Sequence, residues 1–344
     1  MSISRRHILL GSLAGAALPS LKPALASTIG NRSTSLDPTL LGQAVQRASG
    51  LERLHSLIIA RHGDIHFAEA FRGPRLSRPA NIKSVSKTIV AALTGAALDR
   101  GVLFSVDQTV APFLDDMIPP DADERVRHVS VANLLTMQAG LSGATYGNWV
   151  ASDNWISNAL GRPFVAEPGT AMQYSTSSYH LLGVVIARAA GQDLLSLARD
   201  WLGDPLGIRI RPWIRDPQGF YLGGSEMELS PMALYRFGEM ARLHGLWRDQ
   251  FVLSDGWIEQ SWVPRTLSPF YGHQYGYGWF LAETGGRQIA YARGYGGQML
   301  YVVPSLGLTV VVMSDPTLPA REGAYATELT YMLTNEIIPA AERA

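Results

Sequence analysis

Residues Thr88 to Leu98 form an apolar stretch with no polar face: Ile89, Val90, Ala91, Ala92, Leu93, Ala96, Ala97 and Leu98 leave almost no side for water. A helix of that kind has to sit at the centre of the molecule, with other elements packed around it. Its alanines let neighbours approach closely, and Asp99-Arg100-Gly101 ends it. Immediately before it stands Ser84-Val85-Ser86-Lys87. A serine and a lysine three apart at a helix start share one face, so the amine reaches the hydroxyl. The unpaired peptide N–H groups there favour developing negative charge. Ser84 and Lys87 are therefore a candidate nucleophile and base. Ser86 neighbours Lys87 directly and cannot share its face. The same tetrapeptide also describes a serine N-cap followed by a surface lysine, so more of the chain is needed to decide.

The remaining chemistry is bounded by exclusion. The chain has 344 residues and no cysteine, which removes disulfides, thiol catalysis and thiolate zinc sites. Lys+Arg and Asp+Glu are both 29 with no basic run, which argues against a nucleic-acid partner. No G-x-S-x-G, H-E-x-x-H, P-loop or dinucleotide fingerprint occurs, so no metal or other cofactor is expected. His128, His180 and His244 are isolated in helical segments and are expected in core or surface roles.

The N-terminus reads as a leader. Arg5-Arg6, a short apolar run and Ala24-Leu25-Ala26 before Ser27 suit a twin-arginine-type signal over residues 1–26. A periplasmic or secreted, soluble mature protein beginning near Ser27 is expected. The apolar run is too short to span a bilayer, and no later stretch is long enough.

Taken in order, the mature chain predicts a helix from Asp37 to Ser49 and a hairpin of Leu57–Ala60 with Ile65–Phe71 around His62-Gly63-Asp64. Helices follow over Val131–Gln138, Leu181–Ala190, Leu194–Leu202, Pro231–His244 and Ser254–Val263. Four strands are expected at Tyr277–Ala282, Gln288–Ala292, Met299–Val303 and Leu308–Met313. Short turns between them mean an antiparallel sheet. A helix over Thr327–Ile338 closes the chain. The fold class is thus mixed α/β (α+β): residues 35–105 and 219–344 form a sheet domain covered by helices, and 106–218 form an inserted, mostly helical domain. The cleft is expected where the insert meets the sheet edge.

Three elements occur in order: Ser84/Lys87, a loop tyrosine at Tyr174, and Gly294-Tyr295-Gly296-Gly297 at a strand end. With Leu134–Leu141, Glu167-Pro168-Gly169, Tyr174-Ser175-Thr176 and Leu181-Leu182-Gly183, the chain resembles the serine β-lactamase and DD-peptidase superfamily over residues 35 to 340. It is most similar to the class C β-lactamases, their esterase relatives and the aminohexanoate-dimer hydrolases. The resemblance implies the β-lactamase/transpeptidase-like fold. It implies Ser84 as acylated nucleophile, Lys87 as its base and Tyr174 as proton relay. The backbone N–H groups of Ser84 and Tyr295 would form the oxyanion hole. Thr176, Gly294 and Gly296 would border the substrate, with Trp149 among loop aromatics that could line an apolar pocket.

Two positions depart from that pattern. Thr176 stands where Asn is usual, and Ala292 where Lys or His is usual. Arg293 is expected on the opposite face of a regular strand. Both changes point away from β-lactams and peptides and toward a small ester or simple amide. The competing expectations are a DD-peptidase or β-lactamase proper and a non-catalytic, ligand-binding member of the fold. Oligomeric state is not legible.

Overall fold

The computed structural model describes residues 35–143, 145–318 and 323–344. The leader expected over residues 1–26 and its cleavage site lie outside the described residues. Eight antiparallel strands form one sheet: β1 (Leu54–Arg61), β2 (Asp64–Ala70), β3 (Thr266–Leu267), β4 (Gln274–Tyr275), β5 (Phe280–Thr284), β6 (Arg287–Gly294), β7 (Gln298–Val303) and β8 (Leu308–Ser314). Their spatial order is β2-β1-β8-β7-β6-β5-β4-β3. The N-terminal hairpin therefore joins the C-terminal strand, Ile58 opposite Val311, and the two ends of the chain close one sheet.

Five helices matter for the site: α1 (Pro38–Gly50), α2 (Ser86–Asp99), α3 (Thr176–Ala190), α4 (Pro231–Arg242) and α5 (Ala324–Met332). Asp37 caps α1 by accepting from the amides of Thr39 and Leu40. Every residue of β7 and β8 is buried, because helices cover both sheet faces. Leu300 meets α4 at Gly238, where an added Cβ would lie 2.6 Å from Leu300 Cδ1. Its neighbours Met299 and Tyr301 point the other way, into a small cavity shared with α5.

Helix α2 is buried continuously from Ser86 to Ala97 and packs against α3, as its lack of a polar face demands. Residues 106–218 supply helices and isolated bridges but no strand of the main sheet among the described residues. They share one core with the sheet segments. Among the described residues no single helix is long and apolar enough to cross a bilayer.

Four elements differ from the sequence reading. Strands β3 and β4 are two residues each, too short to leave a periodic signal. Helix α3 starts at Thr176 rather than Leu181, because Ser175 caps it by accepting from the Ser178 amide and so carries the polar first turns. The closing helix is broken in three, with a wider turn at Leu333–Ile337 between α5 and Ile338–Glu342.

Candidate active site

Ser84 lies in a single tight turn, Lys83–Val85, that leads directly into α2. Lys87 is one turn further on and only 3 % exposed. Its Nζ stands 3.1 Å from Ser84 Oγ, 3.2 Å from Thr176 Oγ1 and 2.7 Å from the carbonyl oxygen of Gly224. Burial pushes the Lys87 amine below the ordinary lysine value, with the nearby Tyr174 phenol acting in the opposite direction. A neutral amine there donates two hydrogens, to Gly224 and Thr176, and turns its lone pair toward the Ser84 hydroxyl. That is the arrangement a base needs to withdraw a proton from serine.

Ser86, the other serine of the motif, is spent on structure. Its hydroxyl donates to the Lys83 carbonyl at 2.6 Å and accepts from the Met227 amide at 3.2 Å.

Tyr174 immediately precedes the Ser175 cap of α3. Its ring lies 5.0 Å from Lys87 Nζ and packs edge-on against Phe270 with centroids 5.1 Å apart. The loop is held from the side. The Gln173 amide donates to the Met137 carbonyl, and Gln138 Nε2 donates to the carbonyls of Gly169 and Thr170. Met137 adopts a left-handed φ of 56° to do this. The stretch Leu134–Leu141 thus acts as a brace for the tyrosine loop.

Gly294 ends β6, and Gly296 and Gly297, with φ of 82° and 97°, turn the chain back into β7. Tyr295 sits at the apex, 52 % exposed. A Cβ on Gly294 would lie 2.5 Å from the Ile82 carbonyl oxygen, so glycine is what lets the strand end press against the Ser84 turn. Among the described residues, neither the Ser84 nor the Tyr295 amide is engaged in a turn or loop hydrogen bond. Buried Gln298 fixes the turn from behind, exchanging hydrogen bonds with the Ser314 backbone at 2.7 and 3.0 Å.

These parts surround a cleft of about 480 Å³ lined by Ser84, Tyr146, Tyr174, Thr176, Phe270 and Tyr295, with Lys83, Ser225, Glu226, Arg293 and Gly294. The structure brings together Ser84, Lys87, Tyr174, Thr176, Gly294 and Tyr295. It does not bring Gly296 or Trp149 to the cleft. Gly296 packs against the 315–316 backbone, where an added Cβ would lie 2.7 Å from Pro316 Cα. Trp149 is 2 % exposed and packs with Trp155 and Leu222 in a satellite core against His180. Its indole donates to the Trp155 carbonyl, which satisfies its one polar atom internally. Trp149 lies in a short helix, Tyr146–Val150, whose cleft aromatic is Tyr146, one turn earlier; burial and the Glu226 carboxylate push its phenol up to about 12.

Arg293 is a second correction. Position 292 is a buried alanine, so no cation stands where the family pattern usually has one. Arg293 does alternate away, yet its guanidinium lies 4.8 Å from the Phe270 ring, and it lines the cleft as well as the smaller cavity beneath α5. A positive charge thus reaches the cleft rim from the neighbouring residue. Thr176 also differs from expectation: its hydroxyl is engaged by Lys87.

Sequence reasoning missed Lys83, Tyr146, Ser225 and Glu226. Lys83 directly precedes Ser84, which was the available signal. Glu226 is 143 residues from Lys83, and only folding joins them. Outside the cleft, ligand atoms of His244, Asp255 and Glu259 lie within 4.8 Å of one another on the exposed surface. His180, isolated in sequence, is fully buried with Nε2 2.9 Å from Asp216 Oδ2.

Comparison with known proteins gives three findings. The beta-lactamase family model matches residues 43–331. Esterase EstB of Burkholderia gladioli is 30% identical over 177 residues, a stretch covering 44% of this chain and 45% of EstB. The match thus spans less than half the length of that relative. Two solved structures share the fold. EstCE1, a hydrolase with promiscuous acyltransferase activity, aligns with a TM-score of 0.71 at 17% identity over 86% of this chain and 99% of its own. The octameric penicillin-binding protein homologue from Pyrococcus abyssi aligns at 0.67 and 21% identity over 85% and 76%.

Proposed function

The chain belongs to the beta-lactamase family, and on that footing we propose that it hydrolyses a small ester or simple amide through an acyl-enzyme on Ser84. The observation that carries this reading is the 3.1 Å contact between Ser84 Oγ and a buried Lys87 amine at the floor of an open cleft. Neutral Lys87 takes the hydroxyl proton as Ser84 Oγ bonds to the substrate carbonyl carbon. The carbonyl oxygen becomes an oxyanion held by the Ser84 and Tyr295 amides, each worth about 3 kcal/mol to the barrier. The carbon–oxygen or carbon–nitrogen bond then breaks, and the leaving group takes its proton through Tyr174. Water attacks the acyl group with the same groups acting in reverse, releasing the acid and restoring Ser84.

The ester or simple-amide reading is supported by Thr176, whose hydroxyl is committed to Lys87. The EstB likeness agrees with it. The partner is then a small molecule, and the twin-arginine-type N-terminus supports export to the periplasm or beyond. The test is mass spectrometry after treatment with a fluorophosphonate, alongside p-nitrophenyl esters of increasing acyl length and nitrocefin. An adduct on Ser84 with ester turnover is expected. A folded protein with no adduct on Ser84 overturns the reading, and nitrocefin turnover exceeding ester turnover replaces it with a β-lactamase.

A further inference from the structure

The segment Gly224–Met227 touches Lys87 and the residues on either side of Ser84. The Gly224 carbonyl accepts from Lys87 Nζ at 2.7 Å. Glu226 takes hold of the nucleophile turn. Its carboxylate accepts from Asn81 Nδ2 at 2.6 Å, from Lys83 Nζ at 3.0 and 3.1 Å, and from Ser225 Oγ at 3.2 Å. Asn81 passes the hold on, its Oδ1 accepting from the Lys83 amide at 2.8 Å. The backbone of the segment completes the cradle: the Ile82 amide donates to the Met227 carbonyl, and the Met227 amide donates to Ser86 Oγ.

The backbone conformations set these contacts apart from ordinary surface pairing. Lys83, the residue before Ser84, has φ of 49°, and Glu226 has φ of 67°. Both lie in the left-handed region, where a side chain is disfavoured and glycine is the usual occupant. Strain of this kind persists only where surrounding contacts over-determine it, and it gathers at functional sites. Here the two strained residues are ion-paired to each other, with side chains 24% and 19% exposed.

We propose that Glu226 is a positioning residue. It clamps the left-handed turn at Lys83 through Asn81 and Lys83, and so fixes Ser84 Oγ on Lys87 Nζ in the cleft that Tyr295 also lines. The inference rests on the serine-hydrolase reading above. Glu226 acts through the turn and takes no proton in the reaction.

The test is the rate of Ser84 acylation by a fluorophosphonate, resolved into KI and kinact, in the full chain. In Glu226→Gly the clamp is lost but the strain at that φ is also relieved. The melting temperature is expected within about 3 °C of wild type, while kinact falls at least about tenfold and KI changes less than about twofold. Glu226→Gln keeps the shape and one acceptor and is expected to recover part of kinact. Asn81→Ala is expected to slow acylation too, and the Asn81→Ala/Glu226→Gly double variant to be no slower than the worse single, because the two share one route. A folded Glu226→Gly that acylates at wild-type speed overturns the proposal. So does a double variant whose loss equals the product of the singles, or a Glu226→Gly whose kinact falls only in step with its melting temperature. A folded wild-type chain that takes no label on Ser84 overturns the hydrolase reading and this proposal together.

Discussion

The amine of Lys87 ends on the carbonyl oxygen of Gly224, 2.7 Å away and 137 residues along the chain. That contact gives a lysine sealed in the core a fixed direction. One donor is held by the backbone and one by Thr176, and the third position faces Ser84. Burial lowers the pKa of the amine, so the packing that makes the core also favours the neutral form that the proposed base needs.

The pH dependence follows in sign. The base works when neutral, so kcat/KM is expected to rise with pH through a midpoint below the ordinary lysine value of about 10.4. Lys87→Met is expected to remove Ser84 labelling. It is also expected to raise the melting temperature near neutral pH, because the folded state no longer hosts a lysine whose charge it disfavours. Native Lys87 binds protons less readily than in the unfolded chain, so this gain is largest below its lowered pKa. It shrinks as pH rises toward about 10.4. Paired melting curves from pH 6 to pH 10 check both statements, and a constant gap would contradict them.

Gly294→Ala is expected to be an activity variant rather than a folding one. The new Cβ would meet the Ile82 carbonyl at 2.5 Å and lever the strand end away from the Ser84 turn. Loss of one oxyanion donor's alignment predicts a fall in kcat of about 10²-fold. Ester turnover set beside a thermal melt separates this from general destabilisation.

Tyr174→Phe keeps the edge-on contact with Phe270 and removes only the hydroxyl. A fall in kcat of about 10² to 10⁴-fold with KM nearly unchanged is expected for a lost proton relay. Steady-state kinetics on a p-nitrophenyl ester and on an ester with a poorer leaving group give the check. The loss should be greater for the poorer leaving group.

Trp149 is expected to matter for stability alone. Trp149→Ala removes the centre of the Trp155–Leu222 satellite core and should cost about 3–5 kcal/mol. Urea denaturation reads that cost, and the KM of folded protein should stay at the wild-type value.

The elements written in long runs were legible from the residues. Helix α2 has no polar face, the late strands are continuous apolar runs, and Asp37 announces α1. Short elements were not, since β3 and β4 contain two residues each and draw their stability from sheet neighbours. Trp149 was misread because aromatic residues in irregular segments can face a cleft or a core, and local pattern does not distinguish them.

The sequence by itself determined the chemistry available. Ser84 and Lys87 are three residues apart, so helix geometry alone brings their side chains to one face. Tyr174 and Tyr295 entered through a family pattern in which order along the chain stands in for position. Tertiary structure decided how that chemistry is set up. Lys87 is oriented by Gly224 and Thr176, the Ser84 turn is held by Glu226, and Gly294 lets the strand end close on Ile82. Each of these joins segments that only packing brings together. Hydrogen bonds and close contacts act over a few ångströms in space and leave no period in the sequence.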